Sequence, residues 1–92
     1  MTIERAPLVM VVDDQEANVS AVGGLLARDG FDLVVHCRSR REQAEEVATM
    51  ARELGRDARV LCFDVADRAA CAEALTADIE THGAYHGVVC NA

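Results

Sequence analysis

Four short apolar runs alternate along the chain with longer segments in which apolar residues recur at helical spacing. The runs are rich in valine and hardly alternate between polar and apolar residues, which is typical of strands buried on both faces of a parallel sheet. They lie at Leu8–Val12, Leu33–Cys37, Val60–Phe63 with Val65, and Val88–Cys90. The pattern therefore predicts four parallel strands.

Three amphipathic helices are predicted between these strands, because the apolar residues of each intervening segment share one helical face. The three stripes consist of Val19, Val22, Leu25 and Leu26; of Ala44, Val47, Ala48, Ala51 and Leu54; and of Cys71, Ala74, Leu75 and Ile79. Ser39 and Glu42 have the spacing of a capping box at the start of the second helix, and Asp67 can cap the third. The helices are expected to end at glycines, namely Gly30, Gly55 and Gly83.

The order β-α-β-α-β-α-β predicts one α/β domain over residues 1–92, a three-layer doubly wound sheet with right-handed crossovers. The strand orders 3-2-1-4 and 2-1-3-4 both satisfy the crossover rule. Gly23 and Gly24 in the middle of the first helix cost about 1 kcal/mol each relative to alanine. Either this helix passes very close to the sheet, or the segment was selected in another context.

Composition narrows the classes of function. The 92 residues include nine arginines, sixteen acids and no lysine, so the formal net charge is −7 and the pI is near 4.7. This acidic balance argues against nucleic acid or an anionic membrane as a partner. Without lysine, the chain cannot supply a Schiff base, a P-loop lysine or a Tyr/Lys catalytic pair.

The lack of a targeting segment and the pattern of cysteines predict the cellular compartment. No apolar run approaches the roughly 18 residues of a membrane span, and Met1–Pro7 lacks the apolar region of a signal peptide. The cysteines form no CxxC pair and have no partnering histidine cluster. We therefore expect a cytoplasmic protein with four reduced and mostly buried thiols, at Cys37, Cys62, Cys71 and Cys90.

Three stretches carry a resemblance to a known family: LARDGFDLVVHCRSRREQAEEV (Leu26–Val47), ARVLCFDVAD (Ala58–Asp67) and GVVCNA (Gly87–Ala92). They resemble the short-chain dehydrogenase/reductase family, and most closely its NADPH-dependent 3-oxoacyl-acyl-carrier-protein reductases. The resemblance implies a Rossmann-like half-domain and favours strand order 3-2-1-4. It also implies that Asp64 and Val65 lie along the cofactor's adenine, and that Asn91 and Ala92 flank the adenine ribose.

The segment after the second strand indicates which dinucleotide would bind. In dinucleotide-binding domains an acid at this place bonds the ribose 2′-hydroxyl, whereas a basic residue accommodates a 2′-phosphate. Here Arg38-Ser39-Arg40-Arg41 precedes the first acid, Glu42. We therefore expect any bound dinucleotide to be NADP(H), held through Arg38 and Ser39.

The first third departs from the reductase pattern. That family has a TGxxxGxG loop after strand one, whose glycines let the backbone approach the pyrophosphate. Counting back from LARDG, these glycines fall on Asp13, Ala17 and Val19. Asp13 and Asp14 would also lie beside the diphosphate, at a cost of about 1–4 kcal/mol for each like-charge pair. At most weak NADP(H) binding is expected.

The stretch PLVMVVDDQEANVSAVGGLL (Pro7–Leu26) instead resembles the start of a response-regulator receiver domain. In that family, paired acids after strand one help to hold Mg²⁺, so the resemblance implies Asp13 and Asp14 as metal ligands. In strand order 3-2-1-4, however, strand four would bring Asn91 rather than Asp64 towards this acidic pair. Receivers also need a lysine, which this chain lacks.

These observations predict an engineered or recombined chimera, with a receiver-like βα unit at 1–28 and a reductase-like βαβαβ part at 29–92. No catalysis is expected, because the reductase family's Ser and Tyr-x-x-x-Lys would lie beyond Ala92. The alternatives are a truncated NADPH-dependent 3-oxoacyl-acyl-carrier-protein reductase and a Mg²⁺-binding, phosphoryl-accepting module. The open, valine-rich edge of strand four predicts a homodimer.

Overall fold

A parallel four-stranded sheet forms the centre of the protein in a computed structural model, which describes residues 7–13 and 16–91. The strand order is β3-β2-β1-β4, and every neighbouring pair is parallel. This confirms the predicted order 3-2-1-4 and excludes 2-1-3-4. The strands are β1 (Leu8–Asp13), β2 (Asp32–Cys37), β3 (Ala58–Cys62) and β4 (Gly87–Asn91).

Helices cover both faces of the sheet, as the doubly wound pattern predicts. They are α1 (Glu16–Arg28), α2 (Arg41–Glu53) and α3 (Arg68–His82). On one face, Val11, Leu33 and Val35 pack with residues of α1 and α2. On the other face, Met10 and Val34 pack with residues of α3. Among the described residues the chain therefore forms one three-layer α/β unit.

Burial differs between the central and the outer strands. Leu33, Val34 and Val35 of β2 are completely buried, as expected for a strand with neighbours on both sides. By contrast, Val88 and Val89 of β4 remain 55% and 38% exposed. The prediction that all four strands are buried on both faces is wrong for β3 and β4, because each pairs on one side only within residues 7–13 and 16–91.

The predicted apolar stripes of the helices include some residues that the structure leaves exposed. The four α2 residues Ala44, Val47, Ala48 and Ala51 are buried as predicted. Three other predicted core residues, Leu25, Leu54 and Ile79, are 63%, 43% and 40% exposed. Leu54 caps α2 beyond its last turn. On α3 the charged Asp78 takes the buried position next to Ile79, because Arg59 of β3 neutralises it.

The helix ends follow the sequence signals with one exception. Asp67 accepts a hydrogen bond from the Ala70 amide at 3.1 Å, which confirms the α3 cap. The three predicted stop glycines have the positive φ that glycine tolerates best, with values of 97°, 85° and 93° at Gly30, Gly55 and Gly83. The predicted Ser39/Glu42 capping box is wrong, because Arg40 is the N-cap of α2 and no side chain caps it.

The glycine pair in α1 marks a close approach between elements. A Cβ atom on Gly23 would lie 3.0 Å from Cγ1 of Val47 on α2 and 3.5 Å from Cδ1 of Leu33 on β2. One on Gly24 would lie 3.6 Å from Cε of Met50. The helix therefore passes close to both α2 and the sheet at this point, which confirms the first of the two explanations for the pair.

Candidate functional site

The carboxyl ends of all four strands meet at one edge of the sheet, where open α/β sheets bind their ligands. At this edge, Cys37 of β2 is in register with Cys62 of β3, and Asp13 of β1 with Asn91 of β4. The turn from β2 to α2 and the turn from β3 to α3 therefore adjoin each other. The register also confirms that the backbone of Asn91, and not that of Asp64, is the neighbour of Asp13.

Two of the predicted cofactor-binding residues contact each other at this edge. Nε of Arg38, which follows β2, lies 3.6 Å from Oδ2 of Asp64, which follows β3. The Arg38 side chain is 76% exposed, so its guanidinium remains accessible to a ligand. Asp64 also accepts a hydrogen bond from the Ala66 amide at 2.9 Å, and this Asx-type bond fixes the turn after β3.

A shallow concave surface lies at the start of α2, lined by Ser39, Arg40, Arg41, Glu42 and Gln43. No side chain caps α2, so the first amide N–H groups of the helix lack an acceptor from a capping residue. Exposed guanidinium groups beside a helix N-terminus attract anions, and phosphate in particular. We call the residues Arg38–Arg41 the arginine turn. Its chemistry fits a phosphate group.

Val65 lies in the turn after β3 rather than in the strand, which ends at Cys62. Its side chain is 46% exposed. The structure therefore corrects the predicted strand boundary, because the chain turns after Phe63. It also leaves an accessible apolar side chain next to the Arg38–Asp64 pair, as a flat aromatic base would require.

A buried histidine holds the turn that carries Asp64. Nε2 of His36 lies 2.6 Å from the carbonyl oxygen of Phe63, and the His36 ring packs against the Phe63 ring with centroids 4.4 Å apart. His36 is 8% exposed. No sequence motif indicates this role, because the contact depends on the register between β2 and β3.

The cysteines differ from the sequence expectation. Cys37 and Cys62 form a disulfide, with their Cα atoms 4.8 Å apart, whereas Cys71 is a free, half-buried thiol. The expectation of four reduced thiols is wrong for the first two. Their pairing depends on the register of β2 and β3, which places the two residues side by side. Nη1 of Arg41 lies 3.5 Å from Sγ of Cys62.

A second polar cluster lies on the α3 face of the sheet. Arg59 of β3 donates two hydrogen bonds to Asp78 of α3, at 2.9 and 2.7 Å, and the Tyr85 hydroxyl donates a third. These bonds from Arg59 hold the pKa of the Asp78 carboxyl below its usual value, although burial opposes the effect. Burial, together with the bond to Asp78, raises the pKa of Tyr85. This cluster joins β3, α3 and the segment before β4.

The predicted metal site falls largely outside the described residues. Asp14 lies outside them, as do the side chains of Asp13 and Asn91 and the whole of Ala92. Within the part of the chain that the structure describes, no group of three or more His, Cys, Asp or Glu side chains could hold a metal ion. Mg²⁺ binding by Asp13 and Asp14 stays a prediction.

None of the described helices is long and apolar enough to cross a membrane.

The chain is similar to a segment of a reductase. It is 54% identical over 84 residues to the 3-oxoacyl-acyl-carrier-protein reductase FabG of Aggregatibacter actinomycetemcomitans. The match includes 91% of this chain but 35% of the reductase, so the chain spans about a third of that relative's length. The sequence matches no protein-family model.

Solved structures share the fold. Acetoin dehydrogenase from Enterobacter cloacae superimposes with a TM-score of 0.79 at 22% identity, over 99% of this chain and 36% of that one. Acetoin dehydrogenase YohF from Salmonella typhimurium gives a TM-score of 0.75 at 23% identity, over 91% of this chain and 35% of that one. Both confirm the Rossmann-like α/β half-domain.

These comparisons correct the predicted function. The FabG match leaves only about eight residues of the chain unmatched, so it runs through most of the segment that resembled a receiver domain. One reductase is therefore similar to the chain over most of its length, and the prediction of a chimera without catalytic activity is wrong. The alternative, a part of an NADPH-dependent 3-oxoacyl-acyl-carrier-protein reductase, agrees better with the match.

Proposed function

We propose that this chain supplies the NADP(H)-binding surface of a cytoplasmic 3-oxoacyl-acyl-carrier-protein reductase. The observation that carries the proposal is the arginine turn at the carboxyl end of β2, where NAD-binding domains have an acid. Its exposed guanidinium groups and the uncapped start of α2 fit a dianionic phosphate. The bound cofactor would supply the hydride for the reduction of a 3-oxoacyl group.

The arginine turn would hold the 2′-phosphate of the adenosine. Arg38 is the main candidate, because its side chain is the more exposed partner of the pair with Asp64 and can turn towards a ligand. The Ser39 hydroxyl and the first amides of α2 would donate further hydrogen bonds. A charge-assisted hydrogen bond contributes about 1.5–3 kcal/mol, so a few such bonds discriminate strongly between NADPH and NADH.

The turn after β3 would receive the adenine. Asp64 presents its carboxylate beside Arg38, and the exposed Val65 offers an apolar contact to the ring. His36 would act as a positioning residue, because it holds the Phe63 carbonyl directly before Asp64. At the end of β4, Asn91 would lie near the adenine ribose, as the family resemblance implies.

The adenosine end can be tested apart from the rest of the cofactor. Adenosine 2′,5′-bisphosphate carries the 2′-phosphate but lacks the nicotinamide half, and 5′-AMP lacks the 2′-phosphate. Calorimetric titration should show that the bisphosphate binds at least about tenfold tighter, which corresponds to one charge-assisted hydrogen bond. Equal affinity for the two nucleotides would contradict the proposal.

Two arginine variants complete this test. Arg38→Ala should abolish most of the preference for the bisphosphate. Arg28→Ala removes the same charge from the last turn of α1, whose end lies at the opposite edge of the sheet, and should leave the preference unchanged. If both variants lose the preference equally, the effect comes from net charge and not from the arginine turn.

A further inference from the structure

Cys37 and Cys62 lie directly beside the proposed 2′-phosphate surface. They are the last residues of β2 and β3. Arg38 follows Cys37 directly, and Asp64 lies two positions after Cys62. Their positions are in register across the two parallel strands, with Cα atoms 4.8 Å apart. This separation lies within the range that a disulfide spans without backbone movement. The pair can therefore open and close without unfolding the sheet.

The two sulfurs differ in access. Cys37 is 7% exposed and packs into the core with Ala44 of α2. Cys62 is exposed, because β3 is an outer strand of the sheet in the described part of the chain. Redox-responsive pairs commonly combine an accessible attacking thiol with an adjacent resolving thiol. Cys62 fits the first role and Cys37 the second.

Arg41 connects the pair to the arginine turn. Its Nη1 lies 3.5 Å from Sγ of Cys62, and its side chain also lines the concave surface at the start of α2. A neighbouring guanidinium stabilises the thiolate form of a cysteine, which is the nucleophile in thiol–disulfide exchange. The same guanidinium also lies 3.7 Å from Oε1 of Glu45 in an exposed ion pair, and it is more available to a phosphate when the sulfur carries no charge.

We propose that Cys37 and Cys62 form a reversible dithiol–disulfide pair that controls the affinity of the arginine turn for a 2′-phosphate. This inference rests on the proposed function. The thiolate of the reduced Cys62 holds Arg41 and adds a negative charge at the surface where the phosphate binds. Formation of the disulfide removes that charge. Arg41, whose Nη1 still lies 3.5 Å from the disulfide-bonded Sγ of Cys62, is then no longer attracted by a thiolate. The oxidised chain therefore binds the 2′-phosphate more tightly than the reduced chain.

A low-molecular-weight disulfide, such as oxidised glutathione, is the oxidant. The Cys62 thiolate attacks one of its sulfurs, which forms a mixed disulfide and releases one glutathione thiolate. The Cys37 thiol then loses its proton to water and attacks Cys62, so that the Cys37–Cys62 bond forms and the second glutathione leaves. Two electrons pass from the protein to the glutathione disulfide, and excess reduced glutathione reverses the exchange.

The experiment uses the full chain, reduced or treated with oxidised glutathione. Alkylation followed by mass spectrometry should show Cys37 and Cys62 protected after oxidation, with Cys71 reactive in both states. Adenosine 2′,5′-bisphosphate should bind about fivefold tighter to the oxidised chain, the size of one charge interaction across about 4 Å of water. Cys62→Ser and Cys37→Ser should abolish this response, and Cys71→Ser should keep it. Arg41→Gln should slow the oxidation.

The outcomes separate this inference from the proposed function. If Cys37 and Cys62 stay open to alkylation while the bisphosphate binds normally, only the present inference is overturned. The same holds if the disulfide forms and the affinity does not change. If the disulfide forms but the bisphosphate binds in neither state, the proposed function fails, and the control of binding fails with it.

Discussion

Arg38 and Asp64 bridge the ends of β2 and β3, with Nε of the arginine 3.6 Å from Oδ2 of the aspartate. Both groups are accessible to water, and exposed ion pairs of this kind contribute little to stability. The consequence of the pair is electrostatic, because Asp64 neutralises part of the charge that a 2′-phosphate would meet. The pair therefore affects the phosphate affinity of the proposed site more than it affects the stability of the fold.

Asp64→Asn should strengthen binding of adenosine 2′,5′-bisphosphate by about fivefold, since it removes a negative charge beside Arg38. The Asn side chain can still accept the hydrogen bond from the Ala66 amide, so the turn should be retained. Calorimetry measures the affinity, and urea unfolding should give a free energy of unfolding within about 0.5 kcal/mol of the wild type. A weaker affinity with unchanged stability would show that Asp64 itself binds the nucleotide.

Asp13→Asn should raise the affinity for NADPH but not for adenosine 2′,5′-bisphosphate. Asp13 is the last residue of β1, at the carboxyl edge where a pyrophosphate would lie, and the bisphosphate lacks that group. Removal of one like charge should improve NADPH binding by about fivefold or more. Parallel titrations of both ligands measure the difference. Equal gains for both would show that the charge acts over the whole surface.

Much of the fold could be predicted from the sequence, because local rules determine it. The valine-rich runs predict the strands, and the glycines at positions 30, 55 and 83 predict the helix ends. The capping of α3 by Asp67 follows from the same rules. The strand order did not follow from pattern alone, since both orders satisfy the crossover rule, and it required the resemblance to the reductases.

The sequence predicts only those parts of the site that are formed by residues adjacent in the chain. Arg38 and Ser39 lie together because they are consecutive, whereas the contacts of His36 with Phe63 and of Cys37 with Cys62 depend on the register between two strands. No local signal encodes that register. Asp78 was missed for a similar reason, since its burial depends on Arg59 from another strand. The receiver-like first third, which lacks the glycines of the reductase loop, also suggested a chimera, which the match to one reductase contradicts.

The β4 edge should support a homodimer. Val88 and Val89 are 55% and 38% exposed, and β4 pairs only with β1 in the described part of the chain. An open apolar edge strand favours pairing with a second copy. Light scattering at high micromolar concentration should give the mass of two chains, and Val88→Lys should shift it towards one. Leu25→Lys, an equally charged change on exposed α1, is the control. A monomeric wild type would contradict this prediction.

Asp78→Asn should lower the free energy of unfolding at pH 7 by about 3 kcal/mol, because it leaves the Arg59 guanidinium without its buried partner. The pKa of Asp78 is lowered in the folded chain, so its contribution is present above the usual pKa of about 4 and is lost as the pH falls. The difference between wild type and variant should therefore shrink in acid. Urea unfolding at a series of pH values measures this. A difference that does not change with pH would contradict the assignment.

Tyr85→Phe tests the contribution of the same cluster to stability at alkaline pH. The pKa of Tyr85 is raised in the folded chain, so its contribution is present below the usual pKa of about 10 and is lost as the pH rises above it. The wild type should lose stability in strong alkali faster than the variant does. At neutral pH the variant should be about 1 kcal/mol less stable, since it lacks one hydrogen bond. An equal alkaline loss in both proteins would assign that loss to other groups.

Substitution by alanine should change the free energy of unfolding in opposite directions at the two adjacent glycines of α1. Gly24→Ala gains about 0.5–1 kcal/mol of helix stability, and its new methyl group meets the flexible Met50 at an ordinary contact distance. Gly23→Ala gains the same amount but places a methyl group 3.0 Å from Val47, which is buried and cannot easily move. Overpacking of this kind costs about 1–3 kcal/mol, so the net effect should be a loss of about 1 kcal/mol. Urea unfolding of the two variants measures the difference directly, and a gain in both would mean that α1 can shift away from α2 without cost.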